Sequence, residues 1–240
     1  MTASRRTSLA AGIFFALTFV HVLIFFFYDS VLNDADYILA GGDDTALRFG
    51  ALTELVVVVA NVATAVVLFS VLRREHEGFA LGYVAVRVFE SSMIAVGTLS
   101  LLAALTLRED LGGAGGDAAS LNSLGASLVA VRDWTFLFGP GFCAGFGNGF
   151  LLGFLMYRSG LVPRNMALIG LIGGPLSLVG CVFVLFGQWD QDAPVQLLFT
   201  AGEIAWGLSL TVYLILKGFR PSPVLEGGAV DGGGLLPAAA

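Results

Sequence analysis

The sequence predicts an all-α polytopic membrane bundle of six transmembrane helices, with an outer interfacial amphipathic helix between spans three and four. Two observations carry that class. Charged residues make up 12% of the chain against 57% hydrophobic, with a mean hydropathy of +0.87, whereas a soluble domain carries roughly 25% charged residues. Apolar runs of about 20 residues, enough to cross a hydrocarbon core about 30 Å thick, recur along the whole length. Six such runs in 240 residues leave no room for a soluble domain. Residues 1–219 therefore read as one transmembrane domain. Residues 220–240, rich in Pro, Gly and Ala, read as a disordered cytoplasmic tail.

The spans are expected at residues 7–28, 46–72, 79–107, 134–157, 163–187 and 194–217. The first exceeds the roughly 7–15 apolar residues of a secretion signal and lacks a small-x-small cleavage pattern, so it reads as an uncleaved span. It carries Thr18 and His21 on one face. The second places Glu54 and Asn61 one heptad apart. In the third, Tyr83, Arg87, Glu90, Ser91, Ile94 and Thr98 share a face by the i, i+3, i+4 rule. After the glycine-rich residues 112–116, Leu121, Leu124, Leu128 and Val131 recur at helical spacing, which predicts an interfacial helix over the outer end of the bundle. Arg132-Asp133-Trp134 is expected to turn the chain from there into span four.

Span four carries Gly141, Gly145, Gly149 and Gly153, a smooth stripe of the kind that lets helix backbones approach closely in lipid. Span five answers with Gly170 and Gly174 across a short turn, and Pro175 is expected to loosen or kink it. The stripe can face span five or a second protomer. Span six contributes Thr200 and Glu203. Cys143 and Cys181 lie within apolar runs and read as small packing residues rather than a disulfide framework.

Basic residues set the orientation. With both termini inside, the cytoplasmic side holds Arg5, Arg6, Arg73, Arg74, Arg158, Arg164, Lys217 and Arg220, while Arg48, Arg108 and Arg132 fall outside. The expected location is a cytoplasmic membrane, with the lipid bilayer as the first partner. Most acidic residues then gather on the outer loops, including Asp43, Asp44, Asp117 and Asp133. They form a negative, solvated rim with some power to attract cations. Asp34-Ala-Asp36 lacks the Gly and the terminal Glu of a calcium loop.

Each ionisable group inside a span costs roughly 2.5–3.5 kcal/mol to insert, so each asks for a reason. Glu54, Arg87, Glu90 and Glu203 form the candidate buried polar site, with His21, Asn61, Arg132 and Asp133 as possible additions. Three glutamates against one deep arginine leave surplus negative charge. Either Arg48 or Arg132 reaches in from the rim, or one glutamate keeps its proton, because burial disfavours the charged form. Such a site suits small-molecule or ion transport, or sensing. The competing reading is a structural pin, since buried ion pairs can fix helix register without adding net stability. A third reading is a non-catalytic assembly subunit, packing through the glycine stripe against another copy or a membrane-protein partner.

Catalytic patterns are missing. There is no HExxH, and the two histidines, His21 and His76, cannot build a histidine-rich metal centre or a paired haem ligation. Ser159-Gly160 lacks a nucleophile-elbow context, and no basic patch supports nucleic-acid binding. Neither an enzyme nor a cofactor is expected.

Four segments in order carry a resemblance: Glu77-Gly-Phe-Ala-Leu-Gly-Tyr-Val-Ala-Val-Arg-Val-Phe-Glu90; Arg132-Asp-Trp134 with Gly139-Pro140; Tyr157-Arg-Ser-Gly-Leu-Val-Pro-Arg164; and Leu216-Lys-Gly-Phe219. Together they resemble the bacterial family catalogued as domain of unknown function 4386, from about the first span to Phe219. The resemblance implies a multi-pass membrane protein with no assigned reaction, ligand or cofactor. It covers Glu54, Arg87, Glu90, Arg132, Asp133, Pro163, Arg164 and Glu203. Phe199–Gly202 departs from the pattern, which has a proline shortly before the last glutamate.

Overall fold

The computed structural model describes residues 2–42, 44–111 and 117–226, and these are helical with no strand among them. Asp43, the glycine-rich residues 112–116 and the expected tail beyond residue 226 lie outside the described residues. Among the described residues, five helices are long and apolar enough to cross a membrane. The first, α1, covers Ala3–Phe27; Thr2 caps it by accepting from the Arg5 N–H at 3.3 Å. The short α2 covers Asp29–Asn33.

The second long helix, Thr45–Leu111, is 67 residues, about 100 Å if straight at 1.5 Å per residue. It is not straight. His76 adopts extended backbone (φ −159°, ψ 100°) and divides it into α3, residues 45–75, and α4, residues 77–111. The His76 ring then accepts the Phe79 N–H at 3.2 Å, capping the new helix as a polar side chain does at an N-terminus. The halves fold back on each other, as the cross-contacts Val58–Ser91 and Glu54–Thr98 require.

Helix α5 runs through Ala118–Ser159. No turn interrupts it at Arg132-Asp133-Trp134, where the sequence suggested one: that triplet holds no helix breaker, and Arg132 faces inward and is buried. Of the four residues read as an apolar stripe, Leu121 is buried and Leu128 packs on the apolar cluster around Tyr28, Leu47 and Leu101, but Leu124 and Val131 are exposed. From Leu137 to Leu152 most of the helix has the wider π winding, which begins around Pro140. Proline supplies no N–H there and its ring crowds the preceding turn. The wider winding also serves the glycines: residues four apart drift about 40° per step around an α-helix, and added residues per turn keep them on one face.

That face meets α6, Arg164–Leu185. A Cβ on Gly149 would lie 2.3 Å from the Gly174 Cα, and one on Gly145 would lie 2.9 Å from the Gly174 carbonyl oxygen. Gly153 faces Gly170 and Leu171, and Gly141 faces Cys181. The stripe is thus consumed inside the chain. Helix α6 runs through Pro175 without a break, and Gly173 brings it against the backbone of Gly202 and Glu203 in α7, Pro194–Leu216. Cys143 and Cys181 are buried and free.

The basic end is knitted together. Arg5 donates to the carbonyls of Leu214 and Ile215 at the end of α7, at 2.9 and 2.5 Å. Arg158 meets Glu75 at 3.3 Å. The first residues of the stretch read from sequence as a disordered tail are tied to the bundle: Arg220 N–H donates to the Leu161 carbonyl, and the Ser222 hydroxyl donates to the Ser159 carbonyl at 2.5 Å. The latter satisfies a carbonyl that the end of α5 would leave open. Val224 and Leu225 of α8, Pro223–Glu226, then rest on the core. Two apolar clusters fill the interior, one at this end around Leu68, Leu152 and Trp206, the other at the opposite end around Tyr28, Leu47 and Leu101. The buried polar residues of α3 and α4 lie between them in chain order.

Candidate functional site

Glu54 in α3 is fully buried, yet its carboxylate is surrounded by polar groups from three other helices and from Tyr28. Arg132 of α5 donates to Oε1 at 2.8 Å and the His21 ring of α1 stands 3.4 Å away. Tyr28, just past the end of α1, donates its hydroxyl to Oε2 at 2.9 Å, and Thr98 of α4 donates to the same oxygen. The Arg132 guanidinium lies over the Phe136 ring, 4.9 Å from its centroid, and His21 meets the same ring edge-on. Local winding helps place His21: residues Phe19–Leu23 tighten to 3-10 geometry in the middle of α1. Gly97 is needed where α4 passes Arg132, since a Cβ there would lie 2.5 Å from the Thr135 hydroxyl and 3.0 Å from the Arg132 side chain. This outer cluster is neutral, one carboxylate against one guanidinium, before His21 is counted.

One heptad further along α3 a second cluster begins. Arg87 is 1% exposed and Glu90 5%. Their ion pair is 2.7 Å long, across one helical turn. Asn61 closes it into a ring: its amide nitrogen donates to Glu90 at 3.3 Å and its carbonyl accepts from Arg87. Nearby, Tyr83 donates to the Asn148 side chain at 3.2 Å, and the Trp206 indole donates to the Asn148 carbonyl at 2.8 Å, fixing α4, α5 and α7 around one residue.

Glu203 sits beside this ring, within electrostatic range of Glu90, Arg87 and Tyr83, but unlike Glu54, Arg87 and Glu90 it is only half-buried. It accepts no hydrogen bond and forms no ion pair among the described residues. The inner cluster therefore has two carboxylates for one guanidinium. The two clusters lie close enough for His21 to act electrostatically on Glu90.

Of the sequence-predicted residues, Arg87, Glu90 and Asn61 come together in one ring with Glu203 beside it. Glu54, Arg132 and His21 come together in the other cluster. Among the described residues no hydrogen bond or ion pair joins Glu203 to Glu54, and Asp133 is exposed where its neighbour Arg132 is buried. Arg132, rather than Arg48, reaches in from the rim; Arg48 pairs instead with Glu109 at 2.5 Å. The sequence did not single out Tyr28. A tyrosine at a span end ordinarily anchors at the interface, and nothing local shows that its hydroxyl points inward.

Among the described residues no group of His, Cys, Asp and Glu is arranged to hold a metal ion. A family model described as "Domain of unknown function (DUF4386)" matches residues 10–218. No curated protein and no solved structure matches the chain. The match covers most of the sequence, and the chain belongs to that family.

Proposed function

We propose that this member of the DUF4386 family crosses a cytoplasmic membrane six times, with both termini cytoplasmic, and handles a small cation at the inner cluster in transport or sensing. The break at His76 supports six spans, because α3 and α4 are each long enough to cross and run in opposite directions. The contacts of Arg5, Arg74, Arg158 and Arg220 gather at one end, which is the distribution the positive-inside rule associates with the cytoplasm.

One observation carries the functional reading: Glu203 is a membrane-embedded carboxylate with no donor, next to a second carboxylate whose counter-charge is already engaged. An acid so placed pairs with a mobile cation, of which the proton is the smallest, and a bundle interior is where such groups mark ion and proton paths. The outer cluster lacks this property, since Glu54 is already matched by Arg132. Infrared spectroscopy of the protein in nanodiscs, titrated across neutral pH and with sodium and potassium, tests the idea. We expect a carboxyl band that responds to the cation and is missing in Glu203→Gln. A band that persists unchanged in that variant overturns the reading.

A further inference from the structure

An open groove of about 580 Å³ runs along the outside of α7 at the basic end of the bundle. Its length is one face of that helix, Ala205, Leu208, Val212 and Leu216, at spacings of three and four, and all four side chains are exposed. Met166 of α6 forms the other edge. Lys217 closes the groove at the helix end and is the one charged residue lining it among the described residues. From Ala205 to Lys217 is about 18 Å at 1.5 Å per residue. That is close to the roughly 15 Å that one leaflet contributes to a hydrocarbon core about 30 Å thick.

The polar end of the groove lacks counter-charge. The exposed Lys217 ammonium makes no hydrogen bond or ion pair among the described residues, and neither does the Tyr213 hydroxyl, one turn away on the same lining. Among the described residues no acid lines the groove. Two further exposed cations stand at this end without an acidic partner among those residues: Arg164, two positions before Met166, whose guanidinium lies 5.6 Å over the Tyr157 ring, and Arg220, three positions beyond Lys217. Basic side chains at the membrane surface attract anionic lipid, by roughly fivefold in affinity for each Lys or Arg. We propose that this groove seats one anionic phospholipid from the leaflet at the basic end, with an acyl chain along Leu208, Val212 and Leu216 and the phosphate accepting from Lys217 and the Tyr213 hydroxyl. A zwitterionic phospholipid has the same chains and phosphate, but its own cation offsets the attraction. The site is independent of Glu203 and of the buried clusters.

Native mass spectrometry of the full chain released from detergent micelles tests this, with equimolar phosphatidylglycerol and phosphatidylcholine of identical acyl chains. We expect one phosphatidylglycerol retained per chain, with at least a fivefold preference over phosphatidylcholine. Lys217→Gln should lower that preference about fivefold. Val212→Trp fills the groove from an exposed position and should remove the retained lipid. Arg73→Gln, an exposed arginine of the same end outside the groove, should leave the preference unchanged. Equal retention of the two lipids, a preference that survives Lys217→Gln or falls equally in Arg73→Gln, or lipid still retained by Val212→Trp overturns the proposal. A dimer of chains in place of the lipid-bound monomer, lost in Val212→Trp, overturns it in favour of a second copy on this face.

Discussion

The two buried clusters are built from the same kinds of residue, a glutamate and an arginine with hydroxyl or amide helpers, and they differ in how they are assembled. The inner ion pair is local: Arg87 and Glu90 sit one turn apart on the same helix, and Asn61 completes the ring from the facing helix, α3. The outer pair joins residues 78 positions apart and draws groups from three helices and from Tyr28 onto one carboxylate. Local pairing leaves the inner ring free to accept a further neighbour, and Glu203 is there without a partner. Long-range pairing makes the outer cluster a junction of the whole fold. The difference makes the outer cluster a stabilising junction and, on the proposed function, makes the inner one the seat of exchangeable charge.

The comparison breaks first if the seam that brings α5 into place is opened. Gly149→Leu would drive its side chain into the Gly174 backbone, and since overpacking costs roughly 1–3 kcal/mol even where side chains can shift, an obstruction by backbone should exceed about 3 kcal/mol. Steric trapping or thermal aggregation in detergent measures this, and a wild-type-like midpoint would show that α5 and α6 do not meet this way. Next comes Arg132→Met, which strands Glu54 without its counter-charge. Breaking one side of a buried pair typically costs about 3–5 kcal/mol, so a large drop in midpoint is expected, mostly restored in the double variant with Glu54→Gln. If the double variant were no better than the single, the loss would come from packing of the arginine stem rather than from charge.

The smallest effect lies outside the spans, at the start of α3. Burial pushes the Asp44 carboxyl up, but the Leu47 N–H, the Ser30 and Tyr37 hydroxyls and the nearby Arg108 outweigh it, so the net direction is down. A carboxyl lowered in the folded state adds stability above its unfolded value, about 3.9, and that stability is lost as pH falls through the folded value. The wild type should therefore melt above Asp44→Asn at neutral pH, and the gap should close in acid. A gap that widens in acid would reverse the sign.

Much of the helical architecture is legible in the sequence because lipid imposes a simple pattern of long apolar runs. The inner ion pair is legible for an equally local reason, its spacing of three residues. Arg132 meeting Glu54 is not legible in that way; several arginines border the spans, and which one reaches inward depends on how α3, α4 and α5 lie against one another. Tyr28 was hidden because its hydroxyl faces the interior where interface tyrosines usually face headgroups. The continuous α5 was hidden as well. Its leucines repeat at a helical period, but Leu124 and Val131 are left exposed, and the small residues beside them, Gly125, Ala126 and Ala130, line a cleft against Val31 and Ile38 instead.

The π winding between Leu137 and Leu152 has a consequence for the phase of α5. Everything N-terminal to it, including Arg132, is rotated relative to the glycine seam by whatever extra residues that segment absorbs. Removing one residue there would turn the outer half of the helix by about 100° against a seam that cannot move, carrying the guanidinium away from Glu54. The wide segment acts as a spacer in angle rather than in length, setting two contacts on one rod that a uniform helix would leave out of step.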